Sequence, residues 1–288
     1  MTTISQALSE ARHRLQATSP SPAVDASILL CHVLGCSPGH LIAWPDNQLS
    51  PHQATQFNNI LQQRIEGKPV AYITGEREFW SLSLKVTSDV LIPRPETETL
   101  VEFVLEKFSS SPALTVADLG TGSGAIACAL AVERPAWNII ATDSSTEALD
   151  IARHNASAHK LENIRFVHGQ WLEPLSELDF DLIISNPPYI AIEDPHLAQG
   201  DVRFEPEAAL ASGKQGMDAI THLALQAGQR LKAGGWLIVE HGYDQQQLVY
   251  DCFLQGGFED ILQLTDLAGQ PRVTAGRYDK SRHARSGA

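Results

Sequence analysis

From Leu114 onward, short apolar runs alternate with stretches of helical period. The pattern predicts strands near 114–118, 138–142, 164–168, 180–185 and 235–240, and helices near 124–133, 146–159, 218–232 and 243–254. Strand–helix alternation of this kind makes a mostly parallel sheet with helices on both faces. The end of the chain departs from it. Gly257-Phe258 to Leu264 and Arg272 to Tyr278 are two strands with no long helix between them, so the final pair is expected to be antiparallel. The segment Lys280 to Ala288 is basic and built of small residues, and reads as a disordered tail.

The first third follows another period. Ile4, Ala7, Leu8, Ala11 and Leu15 fall at helical spacing, with Thr3 and Gln6 placed for a capping box. A second helix is predicted from about Ala23 to Leu34, stopping at Gly35, and a short third near His40 to Trp44. Ser50 and Pro51 open a fourth, which ends before Gly67. Residues 1–68 thus form a small all-helical domain, in which His32 and His52 are isolated and suggest no ligand set. Residues 69–92 turn β-branched and aromatic with Gly and Ser turns, and predict a β-hairpin linker. Ile92-Pro93-Arg94-Pro95-Glu96-Thr97-Glu98 then feeds a helix through Lys107 and opens a second domain, 93–279.

Composition narrows the class. The 288 residues are 43% hydrophobic, enough for a sizeable core. No apolar run reaches the roughly 18 residues of a membrane span, and the N-terminus has no apolar signal centre. The four cysteines show no metal or redox spacing, and Cys128 sits in an apolar run, which suits a reduced, cytoplasmic protein. The net charge of −13 is unevenly placed: residues 1–80 hold 5 basic against 6 acidic side chains, and residues 81–288 hold 16 against 28. That sign argues against a long nucleic-acid substrate.

Two stretches carry candidate chemistry. Asn186-Pro187-Pro188-Tyr189 closes the apolar run Phe180 to Ser185. Proline cannot donate to a ladder, and it pushes its predecessor to extended geometry, so the carbonyls of Asn186 and Pro187 cannot both be tied into a sheet. With the Asn186 side-chain carbonyl and the flat face of Tyr189, they suit a planar NH2 group needing acceptors. The second stretch, Asp118-Leu119-Gly120-Thr121-Gly122-Ser123-Gly124, leaves a strand and opens a helix. Its glycines permit positive φ and close approach of a ligand to the backbone. Asp143, about 20 residues on, suits ribose hydroxyls. Loop and acid together fit a nicotinamide cofactor as well as S-adenosylmethionine (SAM). Asp118 at the strand tip favours SAM, because a carboxylate can face a cation but not a pyrophosphate. Trp171 after the third strand can cover an adenine face. No cluster with metal-ligand spacing is present, and His241 reads as a buried or rim histidine rather than a base.

With these motifs the chain resembles the release-factor glutamine methyltransferases (the HemK/PrmC family) along nearly its whole length. The matching stretches are Tyr72-Ile73-Thr74-Gly75, Phe79-Trp80, Ile92 to Glu98, Asp118 to Gly124, Asn186 to Tyr189 and Arg203-Phe204-Glu205-Pro206. Asn-Pro-Pro-Tyr alone is shared with adenine methyltransferases; the helical domain and the Pro-Arg-Pro-Glu-Thr-Glu segment make the match specific. The resemblance implies a Rossmann-like seven-stranded α/β sheet, SAM as cofactor, and methylation of the Gly-Gly-Gln glutamine of class I release factors. It implies that Gly120 to Gly124, Asp143, Trp171 and Asn186 bind SAM, that Asn186 to Tyr189 hold the glutamine, and that the helical domain helps dock the release factor. Neither a membrane nor a direct nucleic-acid substrate is expected. An N(6)-adenine methyltransferase acting on nucleic acid, and a non-catalytic nucleotide- or partner-binding module, are the alternatives from other classes.

Overall fold

The computed structural model describes residues 2–177 and 179–279, so the expected disordered tail, 280–288, lies outside the described residues. The chain divides into two compact units, one of residues 1–76 with 198–204, the other of 77–197 with 205–288.

The first unit is helical: α1 (Ile4–Leu15), α2 (Pro22–Leu34), α3 (Pro38–Ala43), α4 (Pro51–Ile65) and α5 (Val70–Thr74). Both capping boxes form, Thr3 with Gln6 and Ser50 with Gln53, each satisfying two otherwise orphaned backbone N–H groups. Gly35, at φ 61°, ends α2. Ile4, Ala7, Ala11 and Leu15 pack on Leu29, Leu30, Phe57 and Leu61. The segment Ala198–Phe204 belongs to this unit: buried Arg64 donates to Asp25 and to Asp201, each at 2.7 Å, and Arg203 donates to the Glu66 carbonyl. A buried guanidinium with two carboxylates is a satisfied pair, and costly to break.

The linker differs from the expected hairpin over 69–92. Val70–Thr74 is helical, and the hairpin is confined to β1 (Glu76–Phe79) and β2 (Leu82–Lys85). Val70 and Ile73, three apart, both pack on the helical core, which their β-branched composition did not reveal. Gly75, at φ 78°, then stops the turn.

The second unit continues with α6 (Glu98–Lys107), β3 (Thr115–Leu119), α7 (Ala125–Glu133), β4 (Asn138–Asp143), α8 (Thr146–Ala158), β5 (Ile164–His168), β6 (Phe180–Ser185), α9 (Asp218–Gln226), β7 (Leu231–Glu240), α10 (Gln246–Gln255), β8 (Phe258–Thr265) and β9 (Pro271–Tyr278). Seven strands order as β5-β4-β3-β6-β7-β9-β8. The first five are parallel, and β9 runs antiparallel to β7 and β8. β3, β6 and the almost wholly apolar α7 are buried, as their sequences require. The helix expected over 218–232 stops at Gln226, and β7 starts early, at Leu231. Leu231 pairs with Phe180, and Gly234, at φ 78°, lets the strand bulge before Trp236 resumes the register with Leu182. Strand order reverses between β3 and β6, and at such a switch point the loops after the strands leave a crevice.

Candidate active site

β3 delivers Asp118 and Leu119 to the sheet rim, where the chain turns through Gly120 (φ 71°), Gly122 (φ 54°) and Gly124 (φ 80°) into α7. The N–H groups of Gly120 and Thr121 both donate to the Thr142 carbonyl at 2.9 Å, tying the loop to β4. Asp143, the last residue of β4, accepts from Gly122 N and Ser145 N, each at 2.9 Å. Each oxygen keeps a further lone pair for a ligand. A Cβ on Gly124 would lie 3.1 Å from Ala152, whereas one on Gly122 would face open space. Trp171 rests over the loop, its ring 3.2 Å from where a Gly120 Cβ would be, and the Thr142 hydroxyl donates to its carbonyl.

These groups form one end of a cavity of about 580 Å³. Gly120, Thr121, Gly122, Ser123, Asp143, Trp171, Asn186 and Pro188 line it, together with Arg94 and Thr97, which the sequence reading quoted in a motif without a site role, and His222, which it did not single out. Asp118, Gly124, Pro187 and Tyr189 lie outside its wall. Asp118 is buried below the loop, where its Oδ2 accepts from the Thr121 hydroxyl at 2.6 Å and its Oδ1 has no hydrogen-bond partner among the described residues. Burial pushes its pKa up to about 6, against the hydrogen bond from Thr121 and the nearby Ala127 backbone N–H.

At the end of β6, Asn186 Nδ2 donates to Thr97 Oγ1 at 3.2 Å, which leaves Oδ1 as the group's free acceptor. Among the described residues, nothing donates to the main-chain carbonyl of Asn186 or of Pro187, as the two prolines led us to expect. Tyr189 does not present its ring to the cavity. Its hydroxyl donates to Glu240 Oε1 at 3.2 Å, and its carbonyl accepts from Gln245 Nε2. A Cβ on Gly216 would fall 2.0 Å from that carbonyl, so only glycine lets the loop close there. Arg94 pairs with buried Glu205 at 2.5 Å, and Glu205 also accepts from Ile92 N. That contact accounts for two of the sequence motifs, Ile92 to Glu98 and Arg203 to Pro206, as one structural element. His241 is buried between the Gly242 carbonyl and the Thr274 hydroxyl, and burial lowers its pKa. It is a satisfied neutral histidine outside the cavity.

The donor set fits SAM. An orphaned buried carboxylate oxygen suits a cation, Asp143 has lone pairs for a ribose diol, and Trp171 offers a face to an adenine. None of these groups calls for a pyrophosphate.

A family model described as "PrmC N-terminal domain" matches residues 6–75, and one described as "Methyltransferase small domain" matches residues 96–201. A Xylella fastidiosa (strain Temecula1) protein is 49% identical over 261 residues, 91% of this chain and 95% of its own. An Escherichia coli (strain K12) protein is 45% identical over 271 residues, 94% and 97% of the two chains. Both are called release factor glutamine methyltransferase. Among solved structures, a methyltransferase from Pyrococcus furiosus superposes with a TM-score of 0.53 at 17% identity, covering 77% of this chain and 99% of that one. The catalytic domain of hMettl16, in complex with a 3′UTR hairpin, gives 0.58 at 15%, covering 87% and 91%. At those identities the likeness is one of fold.

Proposed function

The chain belongs to the release factor glutamine methyltransferases, and we propose that Asn186 and Pro187 present the acceptors that hold the glutamine amide it methylates. The enzyme transfers a methyl group from SAM to the side-chain nitrogen of a release-factor glutamine. An amide nitrogen is a poor nucleophile, because its lone pair is delocalised into the carbonyl. SAM, when bound, supplies the methyl group already activated on a sulfonium.

The chain's own residues supply position and polarity. Asn186 Oδ1 and the Pro187 carbonyl accept the two hydrogens of the substrate NH2. They favour the pyramidal nitrogen of the transition state over the planar ground state. The glycine loop, Asp143 and Trp171 would hold the cofactor, and the buried Asp118 carboxylate would supply negative charge for its cation. A proton from the methylated amide leaves to water, so no side-chain base is required. Residues 93–279 form the catalytic domain, 69–92 link it to residues 1–68, and the helical domain docks the release factor. The exposed apolar side chains Val24, Ile28, Ile42 and Trp44 of that domain support a docking role. The reaction belongs in the cytoplasm, where release factors work.

One observation carries the reading: Asn186, its amide nitrogen already occupied by Thr97, shares a cavity wall with the glycine loop and Asp143. The test uses labelled SAM and purified release factor carrying either Gln or Glu at the Gly-Gly-Gln position. Mass spectrometry should place the label on the glutamine and find none on the Glu variant, which has no NH2 to donate. Equal labelling of both would overturn the assignment.

A further inference from the structure

One side chain of α8 reaches two parts of the cavity's frame. Asn155 lies inside that helix and is 1% exposed, although asparagine is a poor helix former. Every arm of its amide is used. Oδ1 accepts from Lys85 N at 2.8 Å, while Nδ2 donates to the Lys85 carbonyl at 3.1 Å and to the Ser123 carbonyl at 2.8 Å. Only a side-chain amide joins an acceptor to two donors, so no other residue of this size can meet all three backbone groups. A weak helix former kept in a helix interior signals a constraint from elsewhere in the fold.

The two backbone stretches that Asn155 joins lead to separate stretches of cavity wall. Ser123 belongs to the glycine loop and lines the cavity itself. Lys85 ends β2 and does not line it, but the turn that follows does. That turn is closed by Val90 N on the Thr87 carbonyl and by the Thr87 hydroxyl on Asp89, and it delivers Asp89, Val90 and Leu91 to the wall. α8 grips both partners again nearby. His159, one turn on, donates from Nε2 to the Ser83 carbonyl at 2.9 Å, and Ala152, one turn back, packs against Gly124. The glycine loop takes its shape from its own backbone, and Asn155 decides where that shape is seated. We propose that Asn155 is a positioning residue that clamps the glycine loop to the end of β2, holding two parts of the cavity wall in fixed relation before SAM arrives. A site ordered in advance spares the ligand the free energy of ordering it. With Asp at 155 the Lys85 N–H keeps an acceptor, but a second carboxylate oxygen faces the carbonyls of Ser123 and Lys85. With Ala all three backbone groups lose their partner. The inference rests on the glycine loop being the SAM site.

The experiment compares Asn155→Asp, Asn155→Ala and Asp143→Ala with the wild type. It reads SAM affinity by calorimetry, kcat and KM for release factor at saturating SAM, and a thermal melt. Both Asn155 variants should bind SAM at least about tenfold more weakly. Their kcat and KM for release factor should stay within about threefold of wild type, because saturating SAM restores the seated loop. Wild-type affinity in a folded Asn155 variant beside a weakened Asp143→Ala overturns the clamp and leaves the cofactor site standing. Wild-type affinity in all three overturns both. A loss of kcat as large as the loss of affinity also defeats the proposal, since it marks general damage and not a misplaced loop. Should neither Asn155 variant fold, hydrogen exchange on the wild type decides. Lys85 does not line the cavity, so through Asn155 SAM should slow exchange of the Lys85 N–H more than that of the amides of β8, at the far edge of the sheet. Equal slowing at both places defeats the proposal.

Discussion

The two loops that meet at the cavity are held in opposite ways. The glycine loop is shaped by its backbone: three residues at positive φ, and main-chain N–H groups bonded to the neighbouring strand. Within Gly120 to Gly124 the longest hydrogen-bonded restraint, Asn155 Nδ2 to the Ser123 carbonyl, spans 32 residues. The Asn-Pro-Pro-Tyr loop is shaped by side chains that arrive from far along the chain. Asn186 bonds Thr97 across 89 residues, Tyr189 bonds Glu240 across 51, and Gln245 reaches the Tyr189 carbonyl across 56. A loop that cradles a cofactor needs a shape, which local backbone preference can supply. A loop that must tell donor from acceptor needs an oriented side chain, and orientation requires partners outside the loop.

The sharpest way to break this contrast is Asn186→Ala. Turnover measured in single-turnover methylation at saturating SAM should fall about 10²–10³-fold, the usual loss when one preorganised polar contact to a transition state is removed. SAM affinity should fall by less, and a thermal melt should show a folded protein, because Asn186 sits at a strand exit. Near-wild-type turnover would reduce the loop to a rim and erase the distinction.

Asp143→Ala should reverse the pattern. It removes the proposed ribose acceptor and frees Gly122 N and Ser145 N, so SAM affinity by calorimetry should drop by about 1.5–3 kcal/mol, the value of hydrogen bonds to a charged group. Turnover at saturating SAM should change much less. Unchanged affinity would mean the glycine loop needs no carboxylate partner.

A third test uses pH. Asp118 has its pKa raised to about 6 in the folded protein, above its ordinary 3.8. A carboxyl raised on folding disfavours the folded state while ionised, so without cofactor this strain is relieved as pH falls through about 6. A bound cation needs the ionised form, so SAM affinity should weaken as pH falls through the same range, by up to about tenfold per pH unit. Asp118→Asn should bind more weakly at pH 8 and lose this slope. A slope that survives the substitution would place the titrating group elsewhere.

The smallest effect is expected at Gly122, where a Cβ meets nothing but φ is 54°. Gly122→Ala should lower stability by about 1–2 kcal/mol from left-handed backbone strain, read as a shift of the denaturant midpoint. A neutral result would show that this glycine serves the ligand's approach alone.

Much of the site was legible because its signals are local. Apolar period marked the strands and helices of the sheet unit, since a buried strand must be apolar wherever it ends up. Glycines at 120, 122 and 124 announced a loop of positive φ, and Asp143 lay one strand away. Two prolines after Asn186 implied that the Asn186 and Pro187 carbonyls could not both be tied into a sheet, and among the described residues neither is bonded. Tertiary structure alone decided the rest. Val70–Thr74 is helical because Val70 and Ile73 meet a helical core, and residues 198–204 join the helical unit through a pair 137 residues apart. Tyr189 turns from the cavity to Glu240, and Arg94 finds Glu205 across 111 residues. A backbone's shape follows from its own residues and their neighbours. Which atom a polar side chain bonds depends on what the fold brings within about 3 Å, and no spacing along the chain records that distance.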